Sequence, residues 1–102
     1  MRKIVTICGS LRFPEKIQQS AELLELERGW VVLAPIPHTL DKELTPHEKR
    51  ALGEIHKAKI DLSDAIFVVN PGGYIGEAVK GEIAYAKEKG KEVLFLEEAS
   101  FS

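Results

Sequence analysis

Ala65-Ile66-Phe67-Val68-Val69 is followed directly by Asn70-Pro71-Gly72-Gly73-Tyr74-Ile75-Gly76. An apolar run without polar alternation predicts a strand covered on both faces, as in a parallel sheet flanked by helices. Pro71 and the glycines end that strand and lead into a helix over about 77–89, which Gly90 closes. A buried strand that passes through a Gly-rich turn into a helix is part of a βαβ unit, and the flanking sequence supplies the rest.

Residues 3–8 are β-rich and stop at Gly9-Ser10, which predicts a first strand ending in a turn. Pro14 opens a helix in which Ile17, Ala21 and Leu24 recur at spacings of four and three, until Gly29 stops it. Residues 30–34 form a second strand; Pro35 and Pro37 end it, and a polar loop follows to Leu44. Thr45-Pro46-His47-Glu48 is a capping box with Pro at the first helical position, starting a helix to about residue 62. Residues 92–96 form a fourth strand. The alternation predicts an α/β protein: a single flavodoxin/Rossmann-like three-layer domain over 1–102, with a parallel sheet of four to five strands and the first strand in the middle.

Lys and Arg number 14 against 16 Asp and Glu, a formal charge of −2, so no basic face is expected for nucleic acid. The lone Cys8 excludes an internal disulfide and a Cys-rich zinc site. With no signal peptide in view, a cytoplasmic protein is the expectation. No apolar run approaches the ~20 residues that span a bilayer, so no membrane partner is expected. At 102 residues the domain has little room to enclose a ligand by itself.

In an open α/β sheet the ligand crevice lies beyond the carboxyl ends of the strands, where the winding reverses, here between the first and third strands. Two loops leave those ends. Gly9 lets backbone amides approach a ligand, Ser10 offers a hydroxyl, and Arg12 is able to grip an anion; each also reads as part of a plain turn. Asn70, Gly73, Tyr74 and Gly76 form the second loop, whose glycines and following helix N-terminus suit polar or anionic ligand atoms. Glu77 and Glu82 lie on that helix, about 140° apart around its axis, so they are not an adjacent carboxylate pair. Glu82 by periodicity alone reads as a solvated mid-helix residue. His56, Asp61 and Asp64 precede the third strand, where the aspartates also fit a helix end and a turn. Cys8 reads as a strand-end residue packed under its loop, since no neighbouring His is evident to activate it. His38, His47 and His56 are nine apart, without a spacing that directs two imidazoles at one ion, so no metal site is expected. Neither a Walker A loop nor a GxGxxG spacing occurs, and no cofactor is expected.

Taken in order, Ile7-Cys8-Gly9-Ser10-Leu11-Arg12, residues 56–64 before the third strand, Gly73-Tyr74-Ile75-Gly76-Glu77 and Glu82-Ile83-Ala84-Tyr85-Ala86 resemble the nucleoside 2-deoxyribosyltransferase-like superfamily over nearly the whole chain. That superfamily includes the 2′-deoxynucleoside 5′-phosphate N-hydrolases, and the likeness is strongest to its small members. The resemblance implies an N-glycosidic bond as target and Glu82 as nucleophile. It implies sugar or 5′-phosphate contacts from Cys8, Gly9, Ser10 and Arg12, and His56, with Asp61 as a nearby substitute, handling the departing base. Asp64, Asn70, Gly73, Tyr74, Gly76 and Glu77 complete the expected substrate-binding set. The chain departs from the family pattern at Gly76-Glu77-Ala78, where active members often carry Ser or Thr, and at Thr6, where the phosphate hydrolases tend to have Tyr.

The expectation is therefore an enzyme that cleaves or transfers the N-glycosidic bond of a 2′-deoxynucleoside or its 5′-monophosphate, acting as a homodimer or higher homo-oligomer in which a neighbouring subunit helps close the site. A non-catalytic nucleotide-binding or sensing module is the competing reading. Pro71-Gly72-Gly73 with a downstream Glu also resembles the phosphoribohydrolases, which are longer and carry Gly-rich motifs not found here. A purely structural α/β domain would fill the crevice with its own side chains and turn Glu82 to solvent.

Overall fold

A computed structural model describes residues 1–97. Strands β1 (Ile4–Gly9), β2 (Val31–Leu33), β3 (Ala65–Val69) and β4 (Glu92–Phe95) form one all-parallel sheet in the order β2-β1-β3-β4. Helices α1 (Pro14–Leu23), α2 (Pro46–Asp61) and α3 (Glu77–Glu88) connect them. Among the described residues the sheet has four strands, and the first and third lie side by side at its centre, as the alternation predicts. No described helix is long and apolar enough to cross a membrane.

The two-residue period of the strands divides the core into two layers. Cys8, Ile66 and Val68 point to one face, where Ile60 of α2 and Val79 and Ala86 of α3 cover them. Ile7 and Val69 point to the other, beneath Ile17 of α1. Burial on both faces is why β3 carries no polar alternation.

Local chemistry sets the element ends. Thr45 Oγ1 accepts from the Glu48 amide at 3.1 Å while Glu48 Oε1 accepts from the Thr45 amide at 2.9 Å, the reciprocal cap foreseen for α2. The regular part of α1 ends at Leu23, earlier than its apolar spacing predicts, because Leu24–Arg28 widens into a π-type turn. Gly29 then closes it at φ 67°, where a Cβ would approach Arg2 Nη1 to 2.6 Å. β2 is shorter than the predicted strand: Trp30 falls outside it, its ring contacted by the cationic groups of Lys3 and Arg28 at 4.9 and 5.3 Å.

At the amino edge of the sheet, Asp64 ties three strand starts together. Its Oδ2 accepts from the Ile4 amide at 2.8 Å, its own amide donates to the Ile4 carbonyl at 2.8 Å, and its carbonyl accepts from Glu92 at 3.3 Å. One layer in, the buried hydroxyls of Thr6 and Ser63 lie 2.6 Å apart, and both contact the Lys59 carbonyl, at 3.0 and 2.8 Å. This pins the end of α2 to the middle of β1. Thr6→Val keeps the shape but leaves those partners short of a hydrogen bond in a dry site, so it should destabilise the fold by about 1–3 kcal/mol. In urea unfolding the midpoint should fall while the slope stays constant.

Candidate functional site

The carboxyl ends of β1 and β3 lie next to each other, with Cys8 paired to Val68 and Gly9 to Val69. A cleft of about 710 Å³ opens there between the loop after β1, the exposed face of α2 and the start of α3. Its size falls within the roughly 300–1,000 Å³ of small-molecule sites. A smaller hollow of about 490 Å³ lies on the α1 face against Trp30 and Phe67, with Arg28 as its charged lining residue.

Three side chains from three elements converge at the floor of the cleft. Cys8, next to last in β1, is fully buried. Its Sγ lies 3.4 Å from His56 Nε2 of α2, and that same nitrogen lies 3.4 Å from Glu82 Oε1 of α3. The three donor atoms are within 4.8 Å of one another. Periodicity explains how the helices deliver them. His56 sits four residues before the buried Ile60, and Glu82 lies between Val79 and Ala86 on the stripe that packs on the sheet. Glu82 is therefore not the solvated residue that its mid-helix position suggests; its side chain keeps only 24% of its exposure. Cys8 has the neighbouring imidazole that the sequence did not reveal. Burial first, then the charge of Glu82 and its hydrogen bond, push the Cys8 thiol well above its ordinary range, so it is a protonated thiol at neutral pH.

Of the remaining predicted residues, Gly9, Ser10, Tyr74, Gly76 and Glu77 line the cleft. Gly9 is needed for close packing: a Cβ there would lie 3.1 Å from Val69 Cβ. Gly76 is the N-cap of α3 and has no side chain to occupy the helix's free amides. The Ser10 hydroxyl accepts from the Arg12 amide at 3.3 Å, shaping its own turn. Arg12 lies at the mouth with its guanidinium 5.1 Å from the Tyr74 ring centre, and Phe13 meets the same ring edge-on at 5.9 Å. Glu77 is almost fully exposed and reaches Lys80.

Four predicted residues lie elsewhere. Asp61 and Asp64 are at the amino edge of the sheet, opposite the cleft, because α2 runs antiparallel to the strands and ends there. Asp61 Oδ1 accepts from the Tyr85 hydroxyl at 2.7 Å, and Asp64 holds the strand starts together. Asn70 is buried, and both ends of its amide are taken by the backbone of Glu97, at 3.0 and 2.9 Å. Gly73, at φ 82°, shapes the exposed turn, its amide donating to the Asn70 carbonyl at 2.8 Å. These are turn and strand-end roles, which local sequence does not separate from ligand contacts.

The reading of the sequence missed the α2 wall of the cleft: Lys49, Leu52, Ile55 and Lys59, which share a helical face with His56. The signal was present, since 52, 55, 56 and 59 follow the i, i+3, i+4, i+7 pattern, but such a stripe ordinarily means core. Here Leu52 and Ile55 remain about half exposed. Compared with known proteins, the chain matches no family model, and no curated protein is a significant match to its sequence.

Burial protects the thiol. At about pH 8 the folded protein should resist alkylation of Cys8, whereas the urea-unfolded chain should react fully. The unfolded thiol ionises near 9.0 and the folded one only at much higher pH, so the unfolded chain binds fewer protons above that value. Stability should accordingly fall as pH rises past about 9, by at most about 1.4 kcal/mol per pH unit from this group, and a Cys8→Ala variant should lack that component.

Proposed function

We propose that the protein breaks or transfers the N-glycosidic bond of a 2′-deoxynucleoside or its 5′-monophosphate. The observation that carries this reading is Glu82: a carboxylate delivered by a rigid helix to the wall of a nucleoside-sized cleft at the carboxyl ends of β1 and β3. In the proposed reaction the Glu82 carboxylate attacks the anomeric carbon, and the glycosidic electron pair leaves with the base, which takes up a proton. The resulting deoxyribosyl ester is then opened by a second base or by water, restoring the carboxylate.

His56 has a different part in this scheme from handling the departing base. It touches Glu82 on the nucleophile's own side, 3.4 Å away, whereas a retaining reaction protonates the leaving group from the opposite face of the sugar. His56 therefore acts as a positioning residue that holds the carboxylate in its attacking orientation. The other carboxylate lining the cleft is Glu77, at the rim, and this scheme assigns it to the departing base, whose proton comes from solvent. Tyr74, Leu52 and Ile55 offer apolar surface for a planar base.

The site is wide open, and chemistry at a sugar is favoured by excluding water. A second copy of the chain covers the cleft in this reading, resting on the exposed Ile36, Leu52 and Ile55 along its wall. A binding module without catalysis is the competing reading, favoured by the internal use of the Asn70 amide, which removes one expected group from ligand contact.

Chromatographic detection of free base, across a panel of deoxynucleosides and monophosphates with and without an acceptor base, separates these readings. Base release is expected, and Glu82→Gln should lower it by at least about a thousandfold while substrate binding persists. Calorimetric binding with no base released from any member of the panel would establish the binding module instead. Sedimentation equilibrium should show a dimer or larger assembly; a strictly monomeric protein that releases base would remove the covering subunit from the scheme.

A further inference from the structure

We infer that Cys8, His56 and Glu82 form a three-ligand site for a thiophilic divalent cation of the Zn²⁺ type, with its fourth position facing the cleft. The first ground is the way the contacts are shared. A nucleophilic relay would place the carboxylate on one imidazole nitrogen and the thiol on the other. Here Glu82 Oε1 and Cys8 Sγ both approach Nε2, each at 3.4 Å. One nitrogen has a single hydrogen or a single lone pair and cannot pass a proton between two partners in line. Three heteroatoms gathered around one small volume also have the arrangement of a coordination set.

The spacing agrees. With Zn–S near 2.3 Å and Zn–N and Zn–O near 2.0–2.2 Å, tetrahedral geometry separates neighbouring donors by about 3.3–3.6 Å. Both separations from His56 Nε2, at 3.4 Å, fall in that interval, and the third pair, Cys8 Sγ and the Glu82 carboxylate, lies within 4.8 Å, so a small side-chain adjustment closes the set on an ion. The supports are stiff: the central strand and two helices packed on it, so little ordering is required on binding. Charge also balances, because a thiolate and a carboxylate together offset a divalent cation at a site where Cys8 is fully buried. The thiol proton is released to solvent when the metal binds. Sulfur and imidazole donors select Zn²⁺ or Co²⁺ over Mg²⁺ and Ca²⁺, which require oxygen cages. His56 and Glu82 line the cleft while Cys8 lies beneath it, so the remaining position opens toward the ligand space.

A consequence rests on the glycosidic reading above: a carboxylate engaged by the cation is not free to attack a sugar, so loading should switch base release off and a chelator should restore it.

The test is titration of the metal-free 102-residue chain with Co²⁺, read by absorption. One Co²⁺ per chain is expected, with the intense visible bands of a four-coordinate ion and a near-ultraviolet sulfur-to-cobalt charge-transfer band, both lost when Zn²⁺ is added. The chain has one cysteine, so the charge-transfer band reports Cys8 alone. Cys8→Ser should abolish that band. Glu82→Gln, at a partly exposed position, should keep it and weaken Co²⁺ binding by about tenfold or more. A wild-type titration without the charge-transfer band, or Glu82→Gln binding Co²⁺ as tightly as wild type, would overturn the site. The spectrum needs no substrate, so absence of base release from the metal-free protein counts against the glycosidic reading alone, and absence of the band counts against the cation site alone.

Discussion

The pairing of β1 with β3 is the contact on which the rest of the molecule depends. Parallel strands cannot be joined by a tight turn, so each pairing needs a crossover, and crossovers are right-handed. When the chain returns from β2 to lay β3 on the far side of β1, the direction of winding reverses at the centre of the sheet. The loops leaving β1 and β3 then diverge to opposite layers, and a gap opens between them that no connection fills. The cleft follows from topology before any side chain is considered.

The same pairing determines which side chains reach the floor of that gap. Its register places Cys8 beside Val68 and turns both toward the layer made by α2 and α3. Each helix buries an apolar stripe on that face: Ile60 from α2, Val79 and Ala86 from α3. His56 lies about one turn nearer the carboxyl edge than Ile60, and Glu82 lies between Val79 and Ala86, and both side chains stay partly exposed to the cleft. A polar residue there is neither in the core nor in bulk water, and its partner is whatever the facing element presents. His56 and Glu82 present each other, with Cys8 beneath. The opposite edge is organised by different means, with Asp64 bonding the starts of β1 and β4 and the Thr6–Ser63 pair anchoring the end of α2. One edge closes the fold and the other carries the open cleft.

Much of this was legible along the chain. The apolar run 65–69, the glycines after it and the Thr45–Glu48 cap each carry a local physical signal, and each element appears where that signal places it. The Gly9-Ser10 and Tyr74–Gly76 segments were recognisable as crevice loops because topology puts strand ends there. Asp61, Asp64 and Asn70 were not separable from ligand contacts, because an aspartate at a helix end or an asparagine at a strand end has the same local sequence whether it bonds a substrate or a backbone amide. The Glu97 backbone that occupies Asn70 is 27 residues away.

By itself the sequence determined the element order, the parallel sheet with β1 at its centre and the edge at which the cleft opens, since propensity, capping and hydrophobic period act over a few residues and the handedness of crossovers does the rest. Only the tertiary structure decided that Cys8, His56 and Glu82 share one small volume. They are 48 and 26 residues apart along the chain, and no local rule reports the rotation of two helices about their axes or the depth at which each crosses the sheet. Those quantities come from packing Ile60, Val79 and Ala86 against β1 and β3, and packing is a property of the whole fold.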